Sequence, residues 1–134
     1  MSMELTFTPL TALLAATLWL PFIVGVNIST YDGDFQPGLR PPDMTRFPDW
    51  VQRANRAHLN LLEQFLPFAV VVLIGHAAGA RSDGLGWLAA AFFAVRCARA
   101  VGYVTGWAGI PLRPVIFTTG YAIILAYAGA VALA

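Results

Sequence analysis

Four stretches of this 134-residue sequence, residues 8–28, 57–79, 85–107 and 112–133, are apolar over nearly their whole length. About 20 such residues in an α-helix cross the ~30 Å hydrocarbon core of a bilayer, so each reads as a transmembrane helix. With 58% hydrophobic and 11% charged residues, the chain has too little polar surface to cover a soluble domain. Helices satisfy their own backbone in lipid, and Pro21 is tolerated there as a kink in the first span. The predicted fold is an all-α membrane protein, a single four-helix domain over residues 1–134. Residues 1–8 carry Glu4 but no Lys or Arg, and the run that follows is longer than a signal-peptide core, so we expect a retained anchor.

The connections are unequal. Residues 29–56 are long and rich in Pro and Asp, whereas 80–84 and 108–111 are short enough to force antiparallel neighbours. This predicts an up-down bundle. Arg40, Arg46, Arg53 and Arg56 mark the first connection and Arg113 the third, against only Arg81 on the other side. By the positive-inside rule both Arg-rich connections face the cytoplasm and both termini lie outside. All basic side chains are Arg, which with the compact chain suggests a bacterial inner-membrane protein. Small residues in the last two spans, such as Ala89, Ala90, Ala126 and Gly129, permit close helix contact and hence oligomers.

Several function classes are disfavoured. A net charge of +1 with scattered Arg gives no concentrated basic face, so no nucleic acid is expected. The lone Cys97 sits in an apolar run and offers neither a disulfide framework nor a thiolate-rich metal site. His58 and His76 lie near opposite ends of one helix, so no metal is expected. There is no carboxylate pair, Ser/His/acid set or phosphate-cradling glycine turn to suggest hydrolytic or nucleotide chemistry.

What stands out is polarity at membrane depth. At ~100° per residue, Arg53, Arg56, Asn60, Glu63, Gln64 and Pro67 share an arc of about 100°, while His58 points elsewhere. Arg96, Arg99 and Tyr103 share a face of the third span, and Arg113 opens the fourth. A charge near the centre of a transmembrane helix costs roughly 2.5–3.5 kcal/mol, so these groups should pair or face a cavity. Glu63 is expected to pair with Arg96 or Arg99. One carboxylate against five arginines leaves surplus positive charge that a small polycarboxylate would neutralise. A purely structural pairing of the second and third helices is the competing reading. Trp19, Trp50, Trp87, Trp107 and Tyr121 read as interfacial aromatics, and residues 31–50 as a solvated connection or, more sharply, a lid over the mouth.

The segment Arg56-Ala-His-Leu-Asn60-Leu-Leu-Glu63 followed by Pro67-Phe68 resembles the signature of the MAPEG family, membrane-associated proteins of eicosanoid and glutathione metabolism. Arg96 and Tyr103, seven apart, and Gly109-Ile-Pro-Leu-Arg113 resemble its later landmarks, so the likeness runs from residue 49 to the C-terminus. The resemblance implies a homotrimer in membrane lipid. It implies glutathione as co-substrate between subunits, with a lipophilic small molecule arriving from the bilayer. Carried over by position, Arg56, Asn60, Glu63, Arg96, Arg99 and Tyr103 would bind glutathione and Arg113 would act catalytically by stabilising its thiolate. The implied activity is that of a glutathione-dependent transferase or peroxidase working on lipophilic electrophiles or lipid hydroperoxides.

The sequence also departs from the family. Leu59 and Arg99 replace residues found in some relatives, Pro114 follows Arg113 where a hydroxyl is common, and Asn27-Ile-Ser29 lacks a first-helix arginine. These changes bear on the substrate more than on the fold. They support, as an alternative, a non-catalytic membrane scaffold or binding protein. A small transporter is the weaker third reading, since no span is broken and no polar path leads to the outer side.

Overall fold

The computed structural model describes residues 1–33, 41–107 and 112–134; Arg40 and the Gly109-to-Pro111 part of the later motif lie outside the described residues. Four helices follow one another: α1 (Met3–Ile28), α2 (Asp49–Ala77), α3 (Asp83–Val104) and α4 (Leu112–Leu133), with a 3₁₀ turn at Met44–Arg46 before α2. Each α-helix is long and apolar enough to cross a membrane, and the described residues contain no strand. α1 runs unbroken through Pro9 and Pro21.

α2 starts eight residues before the span at 57–79 that hydropathy marks out. Pro48, with an extended backbone (φ −54°, ψ 151°), precedes the first helical residue, and Asp49 places a negative charge at the positive end of the helix dipole. The first two turns of α2 therefore present Trp50, Arg53 and Arg56 on regular helix rather than on loop.

The inward face of α2 is Val51, Ala54, Ala57, Leu61, Gln64, Phe68, Val72 and Gly75, spaced by three and four residues. Phe68 stacks on Phe92 of α3 (centroids 4.0 Å apart) and meets Tyr127 of α4 edge-on at 5.7 Å. Around these rings pack Val72, Leu85, Ala89 and Ile124. A second apolar cluster, Ala15, Leu18, Leu61 and Ala100, joins α1 to α2 and α3. Close contacts give the helix directions. Gly25, near the end of α1, meets Trp50 and Val51 at the start of α2, and Gly86, at the start of α3, meets Met3 at the start of α1. Gly75 and Val131 bring together the ends of α2 and α4. Neighbours in sequence are thus antiparallel, and the bundle is up-down. One end carries both chain termini and the α2–α3 turn; the other carries the remaining two connections.

Large apolar side chains cover the outside, among them Leu13, Leu66, Leu73, Ile74 and Leu125, along with Trp19, Trp50, Trp87, Trp107 and Tyr121. Such a surface suits lipid or another apolar partner and not water. The described arms of the α1–α2 connection are tied together. The Asp32 N–H donates to the Arg46 carbonyl (3.0 Å), Arg46 Nη1 donates to the Asp32 carbonyl (3.2 Å), and Tyr31 lies edge-on to Phe47 at 4.9 Å. Gln52 of α2 donates to the Phe47 carbonyl (2.9 Å), which fastens the second arm to the helix.

Candidate functional site

On α2 the polar stripe lies beside the apolar face and not within it. Arg53 and Asn60 are half-buried, and Arg56 and Glu63 are exposed on the single chain. The reason is geometric: at ~100° per residue, Glu63 is rotated well away from the arc centred on Leu61 and Phe68, and Gln64 takes the inward position. No ion pair joins Glu63 to Arg96 or Arg99 among the described residues, although Glu63 lies within electrostatic range of Arg99. That expected pairing is corrected. His58, on the opposite flank, donates Nδ1–H to the Ala15 carbonyl of α1 (3.2 Å) and takes no part in the stripe.

The arginines of α3 do turn inward. Arg96 is 1% exposed and Arg99 and Tyr103 are each 7% exposed. Arg96 Nη2 donates to the Ile116 carbonyl (3.3 Å) and Arg99 Nη1 to the Arg113 carbonyl (3.0 Å), both on α4. The Arg96 guanidinium also lies over the Phe92 ring at 5.4 Å. Tyr103 is approached by two cations, Arg99 at 5.1 Å and Arg113 at 5.0 Å from its ring centroid, and Arg99 also faces Phe117 at 5.3 Å. Cation–π contacts of this kind hold a guanidinium in place without neutralising it.

At the connection end these elements enclose a cavity of about 210 Å³ lined by Asp49, Gln52, Arg53, Arg56, Tyr103 and Arg113. Three guanidinium groups face one carboxylate there, so the lining carries a net positive charge. Gly106 has φ +72° and would place a Cβ 3.3 Å from Arg53; the turn after α3 closes over Arg53 because a side chain is absent. Among the residues of the sequence-predicted polar set, Arg53, Arg56, Tyr103 and Arg113 line this cavity. Asn60 and Glu63 follow Arg56 along the same flank of α2. Arg96 and Arg99 lie deeper, behind Tyr103 and against α4.

The sequence reading gave no site role to Asp49, Gln52, Gln64 or Gly120. Gln64 was legible on the polar arc, but its partner was not: Nε2 donates to the Phe117 carbonyl on α4 at 3.1 Å. Gly120 carried no signal by itself; a Cβ there would collide with Arg96 Nη2 and crowd Gln64 Oε1. Cys97 is half-buried and lines neither end of the bundle. No group of three or more potential metal ligands occurs among the described residues.

At the opposite end, Arg81 is exposed and His76 half-buried. Arg81 Nη1 donates to His76 Nδ1 (2.9 Å), and that nitrogen lies 3.8 Å from Oε1 of Glu4, which is 6% exposed. A cavity of about 490 Å³ lies here, lined by Ser2, Met3, Glu4, Arg81, Ser82, Asp83 and Gly86.

Comparison with known proteins gives a family but no individual relative. No curated protein and no solved structure matches the chain. The MAPEG family model matches residues 6–133, nearly the whole sequence including the first helix, and with the four membrane-length helices this establishes that the chain belongs to the MAPEG family.

Proposed function

We propose that this protein is a glutathione-dependent transferase or peroxidase acting on lipophilic electrophiles or lipid hydroperoxides. Membership of a family that includes glutathione transferases and peroxidases supports the reading. The observation that carries it is the cavity where Arg53, Arg56 and Arg113 outnumber Asp49, beneath which Arg99 and Arg96 add further positive charge. Glutathione brings two carboxylates, an amine and a thiol. Arg56 and Asn60 would hold its backbone and carboxylates, Glu63 its amine, and Tyr103 would floor the pocket, with Arg96 and Arg99 reinforcing the field from below.

Arg113 is the proposed catalytic residue. A guanidinium beside sulfur favours thiolate over thiol, and the thiolate is the nucleophile. No protein base is then needed, because the proton can leave to water once the charge on sulfur is stabilised. In conjugation the sulfur forms a bond to an electrophilic carbon as the leaving group departs with its electron pair. In peroxide reduction two glutathione molecules supply two electrons and the O–O bond breaks, giving alcohol, water and glutathione disulfide. The lipophilic partner would enter across the exposed apolar surface. Arg56 and Glu63, exposed on the single chain, would be covered by a neighbouring copy in a homotrimer. We place the protein in a bacterial inner membrane with the cavity toward the cytoplasm.

The test is a glutathione titration of the detergent-purified protein, followed by the ultraviolet absorbance of the thiolate near neutral pH. Wild type and Arg81→Ala should develop that absorbance, and Arg113→Ala should not. Absence of glutathione binding to the wild type would overturn the assignment. A second reading, a non-catalytic scaffold, draws on one observation: Arg96 and Arg99 bond to α4 carbonyls, so part of the cluster has a structural role. On that reading Glu63→Gln weakens the oligomer and affects no thiol ligand.

A further inference from the structure

α4 carries Arg113 in its first turn, yet its buried residues are only Gly120, Ile124 and Tyr127. No side chain between 112 and 119 is buried, so apolar packing within the chain does little to fix the turn that presents Arg113. Hydrogen bonds fix it instead. Gln64 of α2 donates to the Phe117 carbonyl, Arg96 of α3 to the Ile116 carbonyl and Arg99 of α3 to the Arg113 carbonyl. Residues 113, 116, 117 and 120 fall within an arc of about 100° on α4, so one stripe of that helix meets all of these donors. Gly120 completes the stripe, because a Cβ there would strike the Arg96 guanidinium and the Gln64 amide.

We propose that Gln64, Arg96 and Arg99 form a clamp on the first two turns of α4, and that Gln64, by way of this clamp, is a positioning residue for Arg113. The inference deepens the proposed function and rests on it for the role of Arg113. A purely cohesive role would be served better by apolar side chains of similar volume, since a buried cation needs full compensation to stabilise a fold. Compensation here is incomplete: Arg96 Nε and Nη1, Arg99 Nε and Gln64 Oε1 are buried without a hydrogen-bond partner among the described residues. What the donors do achieve is directional. Each bond is tied to one carbonyl, so together they set the height and rotation of α4, which apolar contacts would allow to slide.

Gln64→Met keeps the length and volume of the side chain and removes its donor; Gly120→Ala perturbs the same contacts from the α4 side. Two readouts are needed, both on the purified full chain. Amide hydrogen exchange should accelerate about tenfold in peptides covering residues 115–121, with α1 peptides unchanged as a check on folding. The pH midpoint of thiolate formation on bound glutathione should rise by about one unit, with glutathione affinity altered less than about twofold. Unchanged exchange in α4 overturns the clamp whatever the thiolate does. Faster exchange with an unmoved midpoint overturns the positioning role. If the wild type forms no thiolate, the functional reading has failed on its own, and the exchange result alone decides the clamp.

Discussion

The two ends of the bundle each bury polar groups and each hold a cavity, yet they differ in how charge is settled. At the end with the termini, Glu4, His76 and Arg81 contact one another in a chain, and the cavity beside them is lined by Glu4 and Asp83 against Arg81. At the other end Asp49 faces Arg53, Arg56 and Arg113 across a smaller cavity. Size would choose the first of these as the site. Charge chooses the second, because a lining in which three guanidinium groups face one carboxylate favours an anion, while a lining in which two carboxylates face one guanidinium repels it.

Substitutions can break that contrast or sharpen it. The largest effect is expected for Arg113→Ala, which should lower glutathione-dependent turnover by about 10²- to 10³-fold while glutathione still binds; this is the scale seen when one stabilising donor is removed from a developing charge. Equal losses in Arg113→Ala and Arg81→Ala would erase the difference between the ends. Gly120→Val should come next, destabilising the protein by roughly 1–3 kcal/mol through overpacking against Arg96 and Gln64, measured as a lower thermal midpoint in detergent. Glu63→Gln should weaken glutathione binding by about tenfold, the cost of one charge-assisted hydrogen bond, with the thermal midpoint of the ligand-free protein little changed. Smallest of all, Glu4→Gln should cost about 1 kcal/mol of stability and leave glutathione titration untouched, since Glu4 lies beside His76 at the opposite end of the bundle. A change in glutathione affinity in that variant would show that the ends are coupled.

Much of this was legible in the residues. The apolar period around Leu61, Phe68 and Val72 placed α2 and its inward face, and the run from Arg56 to Glu63 identified the family before any coordinates. One expectation failed: Glu63 finds no ion-pair partner on α3 among the described residues and points outward on the single chain. Gln64 stood on the same arc and drew no role, although it is the residue that reaches α4. Helical periodicity reports angles around one helix; it cannot say which neighbouring helix sits at a given angle. Glu4 and Arg81, 77 positions apart in the numbering, had no signal at all linking them.

By itself the sequence determined the solvent, the number of spans, their alternation and the family, because these follow from segment length, composition and a local motif. Tertiary structure decided which polar residues meet. It turned Arg96 and Arg99 toward α4 carbonyls, left Glu63 on the outside of the chain, and separated an end whose cavity lining is net negative from one whose lining is net positive. Those outcomes depend on helix rotation and on small residues such as Gly106 and Gly120, whose missing side chains let particular guanidinium groups come close.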